Sequence, residues 1–183
     1  MLKILSGSLK GRYIKAPKDI RPATSFLKAA IFNIIGPSIE NSCFLDMFAG
    51  SGAMGIEAIS RGANKAYFID SSNISCRFIK NNLRDLKIEN QAVVYQKDAL
   101  QSLALLKEKF HFITVDPPFI FFEKKPEFIN SLLKTMVEYN LLNPESIIFL
   151  EEPTYSKRNI EIDGLKIKDK RKFSSANLVQ YTL

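Results

Sequence analysis

Leu45-Asp46-Met47-Phe48-Ala49-Gly50-Ser51-Gly52-Ala53-Met54-Gly55 is the stretch from which the rest of the chain is read. Cys43-Phe44-Leu45-Asp46-Met47 is apolar but for its acid, the pattern of a strand buried on both faces. It runs into Gly50-x-Gly52, and residues 52–60 read as a helix that Arg61-Gly62 ends. Gly50 and Gly52 can take backbone angles closed to other residues, and they let a ligand approach the main chain. In parallel α/β sheets ligands lie at the carboxyl ends of strands, which is where such a turn sits. A lone Gly-x-Gly is also an ordinary turn, so its surroundings must carry the argument.

Outward from this turn, strands and helices alternate. Strands are predicted at 65–69, 92–95, 110–115 and 146–150, and helices at 73–86, 100–106 and 126–139, with Pro126 suited to a first helical turn. Upstream, residues 24–35 place Leu27, Ile31, Ile34 and Ile35 at helical spacing, with Thr24 or Ser25 as N-cap, and Gly36-Pro37 stops the helix. Residues 2–6 and 11–15 flank a glycine-containing turn and read as a short hairpin, followed by a linker between Pro17 and Pro22. The tail breaks the alternation with two strands, near 160–168 and 172–182. The expected architecture is a Rossmann-like, mostly parallel, doubly wound α/β sheet ending in an antiparallel hairpin, with a small amino-terminal β-hairpin extension. Residues 1–23 are assigned to that basic extension and 24–183 to the main domain.

Two acids follow the glycine turn at strand ends. Asp70 stands 18 residues after Gly52, where a carboxylate can accept hydrogen bonds from both hydroxyls of a ribose. Asp98, after the third strand, falls where a side chain could meet an adenine amino group. Either is otherwise an exposed strand-end acid. The same geometry serves dinucleotides, but Asp46 just ahead of the glycines would crowd a pyrophosphate, and nothing downstream speaks for hydride transfer.

The strand Phe112-Ile113-Thr114-Val115 leads into Asp116-Pro117-Pro118-Phe119. An exocyclic amino group on a nucleic-acid base is a poor nucleophile because its lone pair is delocalised into the ring. To attack a sulfonium methyl it must become more tetrahedral. Asp116 and the carbonyl of Pro117 can each accept one of its N–H bonds, Pro117 and Pro118 fix the backbone, and Phe119 can stack on the base. Read structurally, Pro-Pro is punctuation after a strand and Phe119 is core. Asp116, Pro117, Pro118 and Phe119 are the candidate catalytic residues.

Composition narrows the partners. The 183 residues carry a net charge of +7, distributed as +6 over residues 1–28, −3 over 29–156 and +4 over 157–183. Basic ends fit a polyanion, although solvated surface charge looks the same in sequence. No apolar run approaches a bilayer-spanning length, and the start Met1-Leu2-Lys3-Ile4-Leu5-Ser6-Gly7 lacks the apolar stretch of a secretory signal, so a soluble cytoplasmic protein is expected. Cys43, Cys76 and His111 are the only cysteines and histidine, too few for a zinc site, and no metal is expected.

With these motifs in place the chain resembles the class I methyltransferases, and more narrowly the RsmD family, which methylates N2 of a guanine in 16S ribosomal RNA. The resemblance runs through Ile4-Leu5-Ser6-Gly7, Lys10-Gly11-Arg12, Arg21-Pro22, Ile31-Phe32-Asn33, the stretch 45–52 and Val115-Asp116-Pro117-Pro118-Phe119. It implies S-adenosyl-L-methionine as cofactor, with Asp46, Phe48, Ala49, Gly50, Gly52, Asp70 and Asp98 around it. It implies 16S rRNA or the small ribosomal subunit as partner, with Lys10, Arg12, Lys15 and Arg21 on the RNA, and a monomer. The chain departs from the family at Ala23, Phe26 and Ala29, where polar groups are usual, and at Asp70, where glutamate is commoner. Two other readings stand beside this one: a DNA adenine or cytosine amino-methyltransferase, and an inert RNA-binding assembly protein on the same scaffold.

Overall fold

The computed structural model describes residues 1–17 and 25–183. Residues Cys43–Met47 form β3, flanked by β4 (Lys65–Asp70) and β6 (Phe110–Val115), with β5 (Ala92–Gln96) and β7 (Leu142–Pro153) outside them, all four pairings parallel. β9 (Ala176–Thr182) joins β7 antiparallel, and β8 (Lys166–Phe173) closes the edge, giving the order β5-β4-β3-β6-β7-β9-β8. The expected parallel sheet with a terminal antiparallel hairpin is therefore what forms.

Strand alternation divides the core. Phe44, Phe68, Phe112, Phe149 and Leu178 point to one face, where α1 (Ser25–Ile35), α2 (Ala53–Ser60) and α3 (Asn73–Leu86) cover them with Leu27, Ile31, Ile56, Ile79 and Leu83. Leu45, Ile69, Ile113, Leu150 and Val179 point to the other, under the short α4 (Ala99–Ser102) and α5 (Ile120–Lys124) and the longer α6 (Pro126–Glu138). On this face Ile129, Leu132, Leu133 and Met136 of α6 are buried.

The amino-terminal hairpin, β1 (Leu2–Lys3) against β2 (Tyr13–Ile14), is docked rather than appended. Ile4 and Ile14 join the first core cluster. Glu57 of α2, fully buried, accepts the amides of Leu5 (2.9 Å) and Ser6 (3.0 Å) and pairs with Lys28 of α1 (3.0 Å) and Arg61 (2.8 Å). The hairpin turn rests on the end of α2: the Ser8 amide donates to the Ser60 carbonyl at 2.7 Å, and a Cβ on Gly7 (φ +82°) would strike that oxygen. Only glycine allows this approach.

Differences from the predicted elements have local causes. The tail strands start later than expected because Asp163-Gly164 makes a turn, with Gly164 at φ +80° and an isolated bridge from Ile162 to Leu165. Ser174 at φ +54° turns the chain between β8 and β9. The helix expected over 100–106 is α4 plus a 3-10 turn at Leu103–Leu105, and α5 is additional. Thr24, offered as an N-cap, lies outside the described residues.

Candidate active site

The carboxyl ends of β3, β4 and β6 converge as the sequence implies. Gly50 and Gly52 adopt φ of +54° and +78°, and Gly52 caps α2. Phe48 also has a positive φ, +60°, which is uncommon for a bulky side chain. It sends its ring against Phe121 (5.9 Å between centroids) and Phe128 (6.5 Å), joining the glycine turn to α5 and α6. The Ala49 amide donates to the Ile69 carbonyl at 3.0 Å, so the turn is stitched to the end of β4.

Asp70 is part of that stitch. Its carboxylate accepts the Gly50 amide at 2.8 Å through Oδ2 and the Ser72 amide at 2.8 Å through Oδ1. A carboxylate has about four lone-pair sites, so both oxygens retain acceptor capacity for hydroxyl donors. Asp98 is exposed and caps α4, its Oδ1 accepting from Leu100 at 2.9 Å and Gln101 at 3.4 Å.

Asp46 has a different place. It is 3% exposed, with Oδ2 accepting the Gly55 amide (3.0 Å) in the first turn of α2 and Oδ1 accepting the Thr114 hydroxyl (3.0 Å) of β6. Burial pushes its carboxyl up to about 7, opposed by those two hydrogen bonds. Asp46 thus shapes the glycine turn from beneath, bracing β3, β6 and α2 at one point. Gly55, three residues after Gly52, is also structural: a Cβ there would lie 2.3 Å from the Phe68 ring. This close helix–strand packing is the part the third glycine of a Gly-x-Gly-x-x-Gly turn plays.

Asp116 stands directly beyond β6, half-buried, and lines a cleft with Thr114, Leu27, Met54, Phe149 and Glu151. Pro117 is buried and Pro118 exposed. α5 begins so soon that the Phe121 amide donates to the Pro118 carbonyl (2.9 Å) and the Phe122 amide to the Phe119 carbonyl (3.1 Å). Neither of these turn bonds uses the Pro117 carbonyl. Phe119 is half-buried, edge-on to Phe122 at 6.4 Å.

The basic residues of the hairpin lie at the surface. Lys10 is exposed; Arg12 donates to the Asp85 carbonyl at 2.9 Å, and Lys15 pairs with the Asp85 carboxylate at 3.1 Å. Arg21 lies outside the described residues, as does Ala23. Sequence reasoning missed the residue that ties this segment to the site. Asn82 of α3, 2% exposed, takes the Lys15 amide at 2.9 Å and donates both to the Lys15 carbonyl (2.8 Å) and to the Ser51 carbonyl in the glycine turn (3.1 Å). Glu151 was also missed; its signal was an acid ending an apolar strand, the same signal that marked Asp70 and Asp116.

Cys43 and His111 are structural, because the imidazole Nδ1 accepts the Cys43 amide at 3.0 Å and burial pushes the thiol up to about 12. Among the described residues no group of three acids, cysteines or histidines is placed to hold a metal, and no helix is long and apolar enough to cross a membrane.

The family model described as conserved hypothetical protein 95 matches residues 2–182. The chain is 32% identical over 155 residues to ribosomal RNA small subunit methyltransferase D of Haemophilus influenzae, covering 82% of this chain and 78% of that one. This chain belongs to the RsmD family. Its likeness to other RsmD-family relatives includes 37% identity over 155 residues to YlbH of Bacillus subtilis, 82% of each chain. The solved structure of the methyltransferase yhhF from Escherichia coli superposes with a TM-score of 0.87 at 26% identity, covering 99% of this chain and 97% of that one.

Proposed function

We propose that this RsmD-family protein transfers a methyl group from S-adenosylmethionine to the N2 amino group of a guanine in 16S ribosomal RNA. The observation that carries the reading is the convergence of three strand ends: the glycine turn after β3, Asp70 ending β4, and Asp116-Pro117 beyond β6. The donor set fits an adenosyl nucleoside. Asp70 offers a carboxylate to the ribose diol, and Ala49, Gly50 and Gly52 hold a turn that a ligand can approach closely. Phe48 shapes that turn from the side of α5, and Asp98 stands further along the same sheet edge. Asp46 supports the site from below and does not reach into it. Bound there, S-adenosylmethionine supplies an electrophilic methyl group carried on a sulfonium.

The protein's own part is orientation. A guanine taken out of its stack would enter beside Asp116. Asp116 accepts one N2–H, the Pro117 carbonyl accepts the other, and the nitrogen lone pair is turned out of the ring plane. Phe119 holds the base by stacking, and Asp116 takes the proton that the nitrogen sheds. Lys10, Arg12 and Lys15, with Arg21, would hold the RNA backbone. Asn82 fixes Lys15 relative to the glycine turn, so RNA grip and cofactor loop share one anchor. The protein would work as a cytoplasmic monomer on 16S rRNA or the small subunit.

The test is incubation with methyl-labelled S-adenosylmethionine and small ribosomal subunits, followed by nucleoside analysis. Label in N2-methylguanosine supports the reading. Label in another nucleoside, or none with bound cofactor, refutes it.

A further inference from the structure

Asp116 has a neighbour of its own kind. β6 and β7 are parallel, with Thr114 opposite Phe149 and Val115 opposite Leu150. Continuing that register places Asp116 and Glu151 side by side at the carboxyl edge, on strands roughly 4.8 Å apart. Both share the face of Thr114 and Phe149 and line the same cleft, whose other walls include Leu27, Ile31 and Met54. The next acid along β7 points the other way and is engaged elsewhere, since Glu152 is 1% exposed and holds Arg158 (2.7 Å) and Lys170 (3.0 Å).

Ionised carboxylates only accept hydrogen bonds, and two of them set side by side in an apolar-walled cleft favour a ligand with adjacent N–H donors. Among the amino-bearing bases only guanine presents that edge, with N1–H beside N2–H₂. Adenine and cytosine place an unprotonated ring nitrogen beside their amino group, and its lone pair would face the second carboxylate. We infer that Glu151 is the specificity-determining residue of this site, accepting the N1–H of guanine while Asp116 accepts an N2–H. The inference rests on the proposed role of Asp116, and it supplies from geometry the choice of guanine that the resemblance alone implied.

The test uses a synthetic RNA in which the mapped target is guanosine or 2-aminopurine riboside, which keeps the C2 amino group but has no N1–H. Single-turnover methylation by the wild type should favour guanosine by about ten- to a hundredfold, the range for one hydrogen bond to a charged group. Glu151→Gln can donate to the bare N1 of 2-aminopurine, so it should lower the rate on guanosine and narrow or reverse the preference. Cofactor affinity should stay unchanged in that variant. Equal wild-type rates on the two bases would overturn the inference, as would a Glu151→Gln protein that keeps the wild-type preference. If that variant melts early, the wild-type comparison still decides. A wild-type product other than N2-methylguanosine would instead refute the proposed function, so the two failures are distinct.

Discussion

The main-chain N–H of Gly50 donates to Oδ2 of Asp70 at 2.8 Å, so the turn after β3 is held by the acid that ends β4. Asp70 thereby has two duties, bracing the turn and facing the proposed ribose. Asp70→Ala should weaken S-adenosylmethionine binding by about ten- to a hundredfold, since a hydrogen bond to a charged group is worth about 1.5–3 kcal/mol. Asp70→Asn keeps one acceptor oxygen for a main-chain donor and should fall between the two. Titration calorimetry measures both; unchanged affinity in Asp70→Ala would remove this residue from the cofactor site.

The buried Glu57 cluster makes a prediction about folding. Lys28 and Glu57 are 6% and 0% exposed in their side chains, and Glu57 also carries the Leu5 and Ser6 amides of the hairpin. Removing one partner of a buried ion pair typically costs about 3–5 kcal/mol. Glu57→Gln should therefore lower unfolding free energy by an amount in this range, read by denaturant titration. It should also speed hydrogen exchange at Leu5 and Ser6. A change near zero would mean that the hairpin is held by Ile4 and Ile14 alone.

Asp46 makes stability depend on pH. Burial raises its carboxyl from 3.8 to about 7 in the folded protein, so between these values the native state binds more protons than the unfolded chain. Stability then falls as pH rises. The favourable contribution is fully present below about pH 4 and is lost as pH passes about 7. Asp46→Asn should flatten this part of the stability profile, which melting curves from pH 4 to 8 would reveal. An unchanged slope would assign the dependence elsewhere.

The basic hairpin is tested by salt. Changing Lys10, Arg12 and Lys15 to neutral residues should reduce RNA affinity and flatten its salt dependence, each lost phosphate contact lowering the slope of log affinity on log salt by about 0.7–0.9. Arg12 and Lys15 already touch Asp85, so an unaltered slope would mark them as partners of α3 and not of RNA.

Much of this was legible in sequence because the signals are local. Apolar runs ending in Gly50-x-Gly52, Asp70 and Asp116 announce strands whose carboxyl ends meet, and chain order alone makes them neighbours in a parallel sheet. The hidden parts depend on contacts between distant segments. Asp46 read as a ligand residue because its sequence position is next to the turn, but burial turned it toward Gly55 and Thr114. Asn82 looked like one of several polar residues on a helix; only the fold brings Lys15 and Ser51 to it. Glu151 and Glu152 are adjacent and chemically alike, and which of them faces the cleft is a matter of strand register.

The central claim is that Asp116 serves methyl transfer to an amino group and not the fold. Single-turnover methylation of small subunits by Asp116→Ala, with melting and cofactor titration alongside, tests it most directly. Loss of one preorganised transition-state partner costs about 10²–10³ in rate. The account predicts a fall of at least that size with cofactor affinity and melting temperature kept. Wild-type rates in Asp116→Ala, or a protein that no longer folds, would contradict it.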